Sequence, residues 1–134
     1  MPPVRIDVNQ GRTPGRLQAL SRGIHDAVVA EYGIPERDYF HVLTEHPAGQ
    51  IVAQDAGLGF ERTPDVVMIQ IFTRAGRSQV AKESLYAAIA EKLAGIGVAG
   101  EDVFVGYVEN TAGDWSFGFG RAQYITGELG VPSK

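Results

Sequence analysis

The residues that suggest chemistry begin at the amino terminus, in the sequence Met1-Pro2-Pro3-Val4. Bacterial-type processing removes an initiator Met that precedes a small residue, and proline counts as small. Loss of Met1 would make Pro2 a free secondary amine, whereas an internal proline nitrogen is an amide without a proton. A free α-amino group has a pKa of roughly 7.7–8.0 in model compounds, so its neighbours decide whether it is an acid or a base. Pro2 is therefore a candidate catalytic group; the alternative is that Pro2-Pro3 only begins an edge strand.

Two arginines and one aspartate are further candidates. Arg74 and Arg77 stand just before Ser78, a predicted helix N-cap. A planar guanidinium together with the positive end of a helix suits a carboxylate ligand. Asp38 precedes a predicted strand, and its carboxylate can orient a water or bind a substrate carbonyl through a shared proton. Solvated loop arginines and a turn aspartate paired with Arg37 are the alternatives.

The first half of the chain predicts a strand, a helix and a second strand. Alternating apolar residues at positions 4, 6 and 8 indicate a half-buried strand. Thr13 as N-cap, Pro14 at the first helical position and Gly33 just past the end delimit the helix. Residues 40–44 predict the second strand, and residues 50–53 a short strand within an irregular segment rich in proline and glycine.

The second half repeats this order. The nearly continuous apolar run 66–72 suits a strand covered on both faces, residues 73–77 a loop, and Ser78 the N-cap of a second amphipathic helix. Residues 103–108 predict the fourth strand. Local sequences recur in the two halves: Gly11-Arg12-Thr13 resembles Gly76-Arg77-Ser78, and Asp38-Tyr39-Phe40 resembles Asp102-Val103-Phe104.

The repeat predicts an α/β (α+β) fold built from two tandem β-α-β units in a single domain, residues 1–134. The halves span about 2–45 and 65–110, followed by a segment at 111–134. Right-handed crossovers make the strands within each unit parallel and give a four-stranded sheet with both helices on one face. The other face is left bare, which predicts oligomerisation. If the third strand lies beside the first, Pro2 lies near the loop that carries Arg74 and Arg77.

Composition narrows the class of protein. The chain has 134 residues, a net charge of −4 and no cysteine. Its acidic balance argues against nucleic-acid binding, and the lack of cysteine excludes disulfides, thiolate metal sites and a Cys nucleophile. His25, His41 and His46 have no metal-ligand spacing. Without a long apolar run or a signal-peptide pattern, we expect no membrane partner and a cytoplasmic protein.

These features together resemble the tautomerase superfamily and, within it, the malonate semialdehyde decarboxylases, over nearly the whole chain. The sequences that carry the resemblance are Ile6-Asp7, Gly11-Arg12-Thr13, His25-Asp26-Ala27, Pro35 with Arg37-Asp38, Asp55 with Gly57-Leu58-Gly59, Val108-Glu109-Asn110, Asp114-Trp115-Ser116-Phe117-Gly118, Gly120-Arg121-Ala122 and Thr126-Gly127.

The resemblance implies a homotrimer that needs no cofactor and no metal and acts on a small carboxylate, malonate semialdehyde. It implies an active site of Pro2, Asp38, Arg74 and Arg77, with the arginines binding the substrate carboxylate. It also implies an apolar wall, which maps to Trp115, Phe117, Tyr124 and Leu129.

Other reactions on the same scaffold stay open at this point. The spacing Arg74-Ala75-Gly76-Arg77 is similar to that of cis-3-chloroacrylic acid dehalogenase, whereas the decarboxylases can carry Arg-x-Arg. That dehalogenase has a glutamate where this chain has Ser116, which leaves Asp38 to activate water in a hydratase side reaction. A keto–enol tautomerase with neutral Pro2 as the base and a non-catalytic trimeric binding protein are the remaining alternatives.

Overall fold

The computed structural model describes residues 2–130; Met1 and residues 131–134 lie outside the described part. The chain has four strands, β1 (Val4–Asn9), β2 (His41–His46), β3 (Val67–Arg74) and β4 (Val103–Asn110). One long helix, α1 (Pro14–Tyr32), connects β1 to β2, and a second, α2 (Gln79–Ala94), lies between β3 and β4. A short helix, α3 (Gln123–Thr126), follows β4. No helix among the described residues is both long and apolar enough to cross a membrane.

The sheet has the strand order β2-β1-β3-β4. Strands β1 and β2 are parallel, β3 and β4 are parallel, and the central pair β1 and β3 is antiparallel. The two β-α-β units predicted from the repeat therefore meet at β1 and β3, which fulfils the condition for placing Pro2 near the arginines. The antiparallel central pair brings the start of β1 to the end of β3, the neighbourhood on which the predicted site depends.

The helix ends confirm the capping predictions. The Thr13 side chain accepts a hydrogen bond from Arg16 N, and Pro14 is the first residue of α1. Gly33 ends α1 with φ 63°, a left-handed conformation in which glycine has no Cβ clash. The Ser78 side chain likewise accepts from Ala81 N and caps α2.

The core lies between one face of the sheet and both helices. Inward residues of β1 and β3 pack against apolar residues of α1 and α2; the fully buried set includes Ile6, Val8, Ile24, Val28, Ile69, Ile71, Leu85 and Ile89. On the other face of the sheet, Val42, Phe104 and Val108 are exposed at 54%, 42% and 46%. The sheet therefore has one covered and one open face in the single chain.

Three local predictions need correction. Residues 50–53 form no strand, because no neighbouring strand pairs with them in the described chain. Arg74 is the last residue of β3 and not part of a loop. The outward residues of β3, Met68 and Gln70, are only half-buried or exposed, so this strand is covered on one face within a single chain.

Candidate active site

The predicted site residues lie together at one edge of the sheet, meaning an edge formed by strand ends and not by an outer strand. It holds the starts of β1 and β2, the ends of β3 and β4, and the segment that follows β4. Val4 N donates to Phe40 O at 2.8 Å, and Phe72 N donates to Pro3 O at 3.0 Å. Pro2 is buried and continues this register, so it lies between the segment 38–39 and the end of β3.

Arg77 is held by two neighbours, with part of its guanidinium left available. Nη1 donates to Thr73 Oγ1 at 2.9 Å, and the guanidinium carbon lies 4.1 Å from the ring centre of Tyr32. The Tyr32 hydroxyl is in turn 3.1 Å from that of Tyr107. Nε and Nη2 of Arg77 are buried and have no hydrogen-bond partner in the described part of the chain. Buried donors without partners are costly, so these two nitrogens favour an anionic ligand with two acceptor oxygens.

Arg74 ends β3 opposite Asn110, the last residue of β4. The Asn110 carbonyl accepts from Ala75 N at 2.6 Å, and its side-chain Oδ1 accepts from Trp115 Nε1 at 2.9 Å. Asn110 therefore ties the segment around the arginines to the aromatic segment after β4. The two arginines predicted to bind a carboxylate lie at the same edge but in different elements. Arg74 is the last residue of β3, and Arg77 lies just before Ser78, the N-cap of α2.

Asp38 is half-buried in the turn before β2, where its N–H donates to Pro35 O at 3.0 Å. Burial raises the pKa of the Asp38 carboxyl above its usual value, while electrostatic interactions with His25 and Arg77 oppose this rise. A carboxyl in such surroundings can exchange a proton with a substrate or with a neighbouring amine more readily than a solvated one.

Asp38→Asn is expected to stabilise the protein at pH 7. The pKa of Asp38 is higher in the folded than in the unfolded protein, so its protonation contributes stability that is fully present below the unfolded-state pKa. This stability is lost as pH rises through the folded-state pKa. The neutral amide avoids that loss. Thermal unfolding of both proteins from about pH 4 to about pH 8 should show a higher Tm for the variant at pH 7 and a shrinking difference towards acid. A lower Tm for the variant at pH 7 would contradict the burial argument.

The aromatic residues predicted as an apolar wall lie beside these charges. Tyr124 is buried, and its ring is 5.3 Å from that of Phe117, which is itself 5.9 Å from Phe40. Burial raises the pKa of Tyr124, with Asp38 adding to the rise and Arg74 and Arg77 opposing it. All three charged side chains are thus close enough to act on this hydroxyl.

Trp115 and Leu129 stand at the margins of that cluster. Trp115 is fixed by its bond to Asn110, and Leu129, whose N–H donates to Gln123 O, is 40% exposed in the single chain. Gln123 is buried and holds the aromatic segment by accepting from Phe117 N and donating to Gly118 O, both at 2.8 Å. Gln123 was not predicted as a site residue from the sequence.

A cluster of polar residues behind Asp38 was also missed. His25 is buried on α1, stacks on Tyr39 at 3.8 Å and lies 5.9 Å from His41. Ser21 Oγ is 2.7 Å from Tyr39 Oη and 2.8 Å from His41 Nδ1. The signal that reveals such a cluster is the placement of Ser21 and His25 one turn apart on the face of α1 that also carries apolar core residues.

All three histidines have hydrogen-bond partners, as expected for satisfied rather than metal-bound side chains. His46 Nε2 lies 2.7 Å from Asp7 Oδ1, and His25 Nε2 lies 2.8 Å from Glu36 O. Among residues 2–130, no group of three His, Cys, Asp or Glu side chains is arranged to hold a metal ion.

A separate groove of about 520 Å³ lies at the opposite end of the sheet. Its lining includes Arg12, Arg16, Arg62 and Asp65, and none of the predicted site residues. Arg12 and Arg62 already donate to backbone carbonyls, at 2.6 Å to Asp65 O and 2.8 Å to Gln54 O. The converging charges, the buried proline and the Arg77 nitrogens that lack a partner among the described residues favour instead the edge that carries Asp38.

Two family models, each described as tautomerase enzyme, match residues 38–118 and residues 2–61. The chain therefore belongs to the tautomerase superfamily. A curated relative, a probable tautomerase of Bacillus subtilis (strain 168), is 38% identical over 96% of this chain and all of its own.

Solved structures also match this chain. FG41 malonate semialdehyde decarboxylase inhibited by 3-bromopropiolate is 52% identical, with a TM-score of 0.95 over 97% of this chain and 99% of that one. A second malonate semialdehyde decarboxylase, described with decarboxylase and hydratase activities, is 35% identical with a TM-score of 0.91 over 95% and 98%. A fused 4-OT solved as a symmetric trimer is 26% identical with a TM-score of 0.75 over 92% and 98%.

Proposed function

We propose that this protein is a cofactor-independent decarboxylase that converts malonate semialdehyde (3-oxopropanoate) to acetaldehyde and carbon dioxide. The observation that carries the proposal is the pair of buried Arg77 nitrogens, without a hydrogen-bond partner among residues 2–130, at the edge that holds Pro2 and Asp38. A carboxylate fits those two donors, and an amino-terminal amine beside a carboxyl suits the carbonyl of the same substrate. The 52% identity to a malonate semialdehyde decarboxylase supports this choice among superfamily reactions.

In the proposed reaction, Arg74 and Arg77 bind the substrate carboxylate and turn its scissile bond out of the carbonyl plane. The bond between the carboxylate carbon and C2 breaks, and its electron pair moves into the carbonyl group to give an enolate and carbon dioxide. Cationic Pro2, with Asp38 beside it, stabilises the negative charge that develops on the carbonyl oxygen. Protonation of the enolate at C2 then gives acetaldehyde. In a covalent alternative, neutral Pro2 condenses with the aldehyde to an iminium with loss of water, and the iminium accepts the same electron pair. Protonation at C2 and hydrolysis then release acetaldehyde and free Pro2.

The apolar wall has a distinct proposed task. Carboxylate charge disperses as neutral carbon dioxide forms, so apolar surroundings favour the transition state over the ground state. Tyr124 and Phe117, which contact each other beside the arginines, are placed to supply these surroundings. We assign the same role to Trp115 and Leu129, which extend the wall along the segment after β4.

We further propose that the chain assembles as a homotrimer through the open face of its sheet. Exposed Val42, Phe104 and Val108 give this face an apolar character that a second copy of the chain can cover. A structural neighbour, the fused 4-OT, was solved as a trimer.

Sedimentation should therefore show a particle three times the 14.4 kDa chain at micromolar concentration. Val42→Lys, on the open face, is expected to shift the protein towards smaller species, because burying an unpaired charge is costly. Val80→Lys, a matched change at a residue of α2 that is 74% exposed, should leave the trimer intact. A stable monomer of the parent chain would rule out this assembly.

Hydration is a second candidate activity on the same site. The raised pKa of Asp38 gives it the character of a base that can activate water once ionised, and one malonate semialdehyde decarboxylase among the neighbours is described with a hydratase activity. Ser116, exposed beside the wall, offers no carboxylate for that purpose. We therefore place hydration of cis-3-haloacrylates as a slow side reaction and decarboxylation as the main one.

A substrate comparison tests this order. Protein whose intact mass shows the loss of Met1 is incubated separately with malonate semialdehyde, cis-3-chloroacrylate and the enol form of a 2-oxo acid, and consumption of each is followed. We expect the highest kcat/KM for malonate semialdehyde. Faster turnover of the chloroacrylate would assign a dehalogenase, faster ketonisation of the enol a tautomerase, and no turnover of any would support a binding protein.

A further inference from the structure

His25 is an imidazole buried within the fold, only 1% exposed, on the side of α1 that faces the start of β2. Its Nε2 lies 2.8 Å from the backbone carbonyl oxygen of Glu36. A carbonyl oxygen only accepts hydrogen bonds, so Nε2 carries a proton and donates. The bond joins α1 to the segment 36–39 that carries Asp38.

The His25 ring also contacts Tyr39, at the other end of the segment 36–39. His25 stacks on Tyr39 with ring centres 3.8 Å apart and planes 19° from parallel. The Tyr39 hydroxyl forms a hydrogen bond of 2.7 Å with the hydroxyl of Ser21, which lies one turn before His25 on α1. His25 therefore contacts the residues on both sides of Asp38, two positions before it and one position after it.

The charged groups around His25 are already engaged elsewhere. The Glu36 carboxylate is 3.8 Å from Nε2 but is ion-paired with Arg22, which also pairs with Asp26 at 3.0 Å. Burial, with a further contribution from His25, lowers the pKa of His41 to about 4, so this neighbour is neutral at physiological pH. Asp38 itself is within the electrostatic reach of His25 on one side and of Arg77 on the other.

We propose that His25 is a positioning residue for Asp38: by holding Glu36 through its backbone carbonyl and Tyr39 by stacking, it fixes the carboxyl at the start of β1 beside Pro2. Glu36 and Arg37 are exposed, so the turn has few core contacts of its own to hold it. Misplacement of a catalytic group by about 1 Å can lower a rate by about 100-fold. The inference rests on the proposed function for its kinetic consequence, but the geometry that it describes does not.

The kinetic test compares His25→Leu with His25→Gln, because a Gln amide can still donate to the Glu36 carbonyl whereas Leu cannot. We expect His25→Leu to lower kcat for malonate semialdehyde by about 10- to 100-fold with KM changed by less than about threefold. His25→Gln should regain most of the lost kcat. If Leu does not fold, His25→Asn, whose shorter amide does not reach the carbonyl, takes its place.

A second readout does not depend on the substrate. A carboxylate near an amine raises the amine pKa, so displacement of Asp38 should lower the pKa of the Pro2 amine. In Met1-free protein titrated by ¹⁵N NMR, we expect a lower Pro2 pKa in His25→Leu and a value near the parent's in His25→Gln. Loss of a positive charge at position 25 would by itself shift this pKa upwards, so a downward shift reports the displacement of Asp38.

The outcomes distinguish the inference from the proposed function. If the parent does not decarboxylate malonate semialdehyde, the proposed function fails, and the Pro2 titration alone decides on His25. If the parent is active but kcat of His25→Leu stays within about threefold, or Gln is no better than Leu, the positioning role is wrong. An unchanged Pro2 pKa in the Leu variant would overturn it equally.

Discussion

Arg77→Ala should lower kcat/KM for malonate semialdehyde by about 10- to 100-fold, because a charge-assisted hydrogen bond contributes about 1.5–3 kcal/mol. In the proposed mechanism the carboxylate is bound both before and during bond cleavage, so part of the loss should appear in KM. Orientation of the scissile bond matters only in the transition state, so kcat should fall as well. Stability should not fall with activity, since two guanidinium nitrogens of Arg77 are buried without partners in the described chain.

Matched variants separate charge from geometry. Arg77→Lys keeps the positive charge but loses the planar fork, so it should recover only part of the activity. Arg16→Ala, at an exposed position of α1 beside the opposite end of the sheet, should leave the kinetics unchanged. Parental kcat/KM in Arg77→Ala would exclude Arg77 as the carboxylate receptor, and a large loss in Arg16→Ala would show that the effect is not specific.

Pro2→Ala should lower kcat by about 100-fold or more, within the range that general acid catalysis contributes. Alanine is small enough for Met1 to be removed, so the variant keeps a free amino terminus but changes its basicity and shape. Because the arginines still hold the carboxylate, KM should change by less than about threefold. Steady-state kinetics of variant and parent, each with its amino terminus verified by intact mass, measure this split.

Titration of Pro2 then distinguishes the chemical roles. A cationic acid needs a Pro2 pKa above about 8, the model value for an α-amino group. We expect Asp38 to raise that pKa and the two arginines to lower it, so the direction of the shift reports which neighbour is closer. A pKa well below about 7 would favour a tautomerase base or an amine nucleophile. Unchanged kcat in Pro2→Ala would exclude the amino terminus from catalysis.

The fold was largely predictable because hydrophobic periodicity and capping residues agree along this chain. Thr13, Gly33 and Ser78 mark helix ends in the sequence and do so in the structure. The repeat of β-α-β units predicts parallel pairing within each half. Residues 50–53 were misassigned because a short apolar run resembles a strand, yet a strand needs a neighbour to satisfy its backbone groups.

The site was predictable only in part. Asp38, Arg74 and Arg77 stand out because their types and positions at element ends suit a carboxylate ligand. Their supports are not visible in the sequence: Tyr32 lies 45 residues from Arg77 and meets it only through the packing of α1 against the sheet. The sequence likewise shows His25 only as a histidine on a predicted helix, and its contacts with Glu36 and Tyr39 depend on the folded structure. Contacts between distant segments require the fold before they can be inferred.

Direct observation of the products tests the central claim most simply. Malonate semialdehyde labelled with ¹³C in its carboxylate is mixed with Met1-free protein and followed by ¹³C NMR, with a protein-free sample and Pro2→Ala run alongside. Decarboxylation should give labelled carbon dioxide and bicarbonate, together with an equal amount of unlabelled acetaldehyde measured by ¹H NMR, at a rate proportional to protein and strongly reduced in the variant. Label that stays in the substrate at the protein-free rate would contradict it.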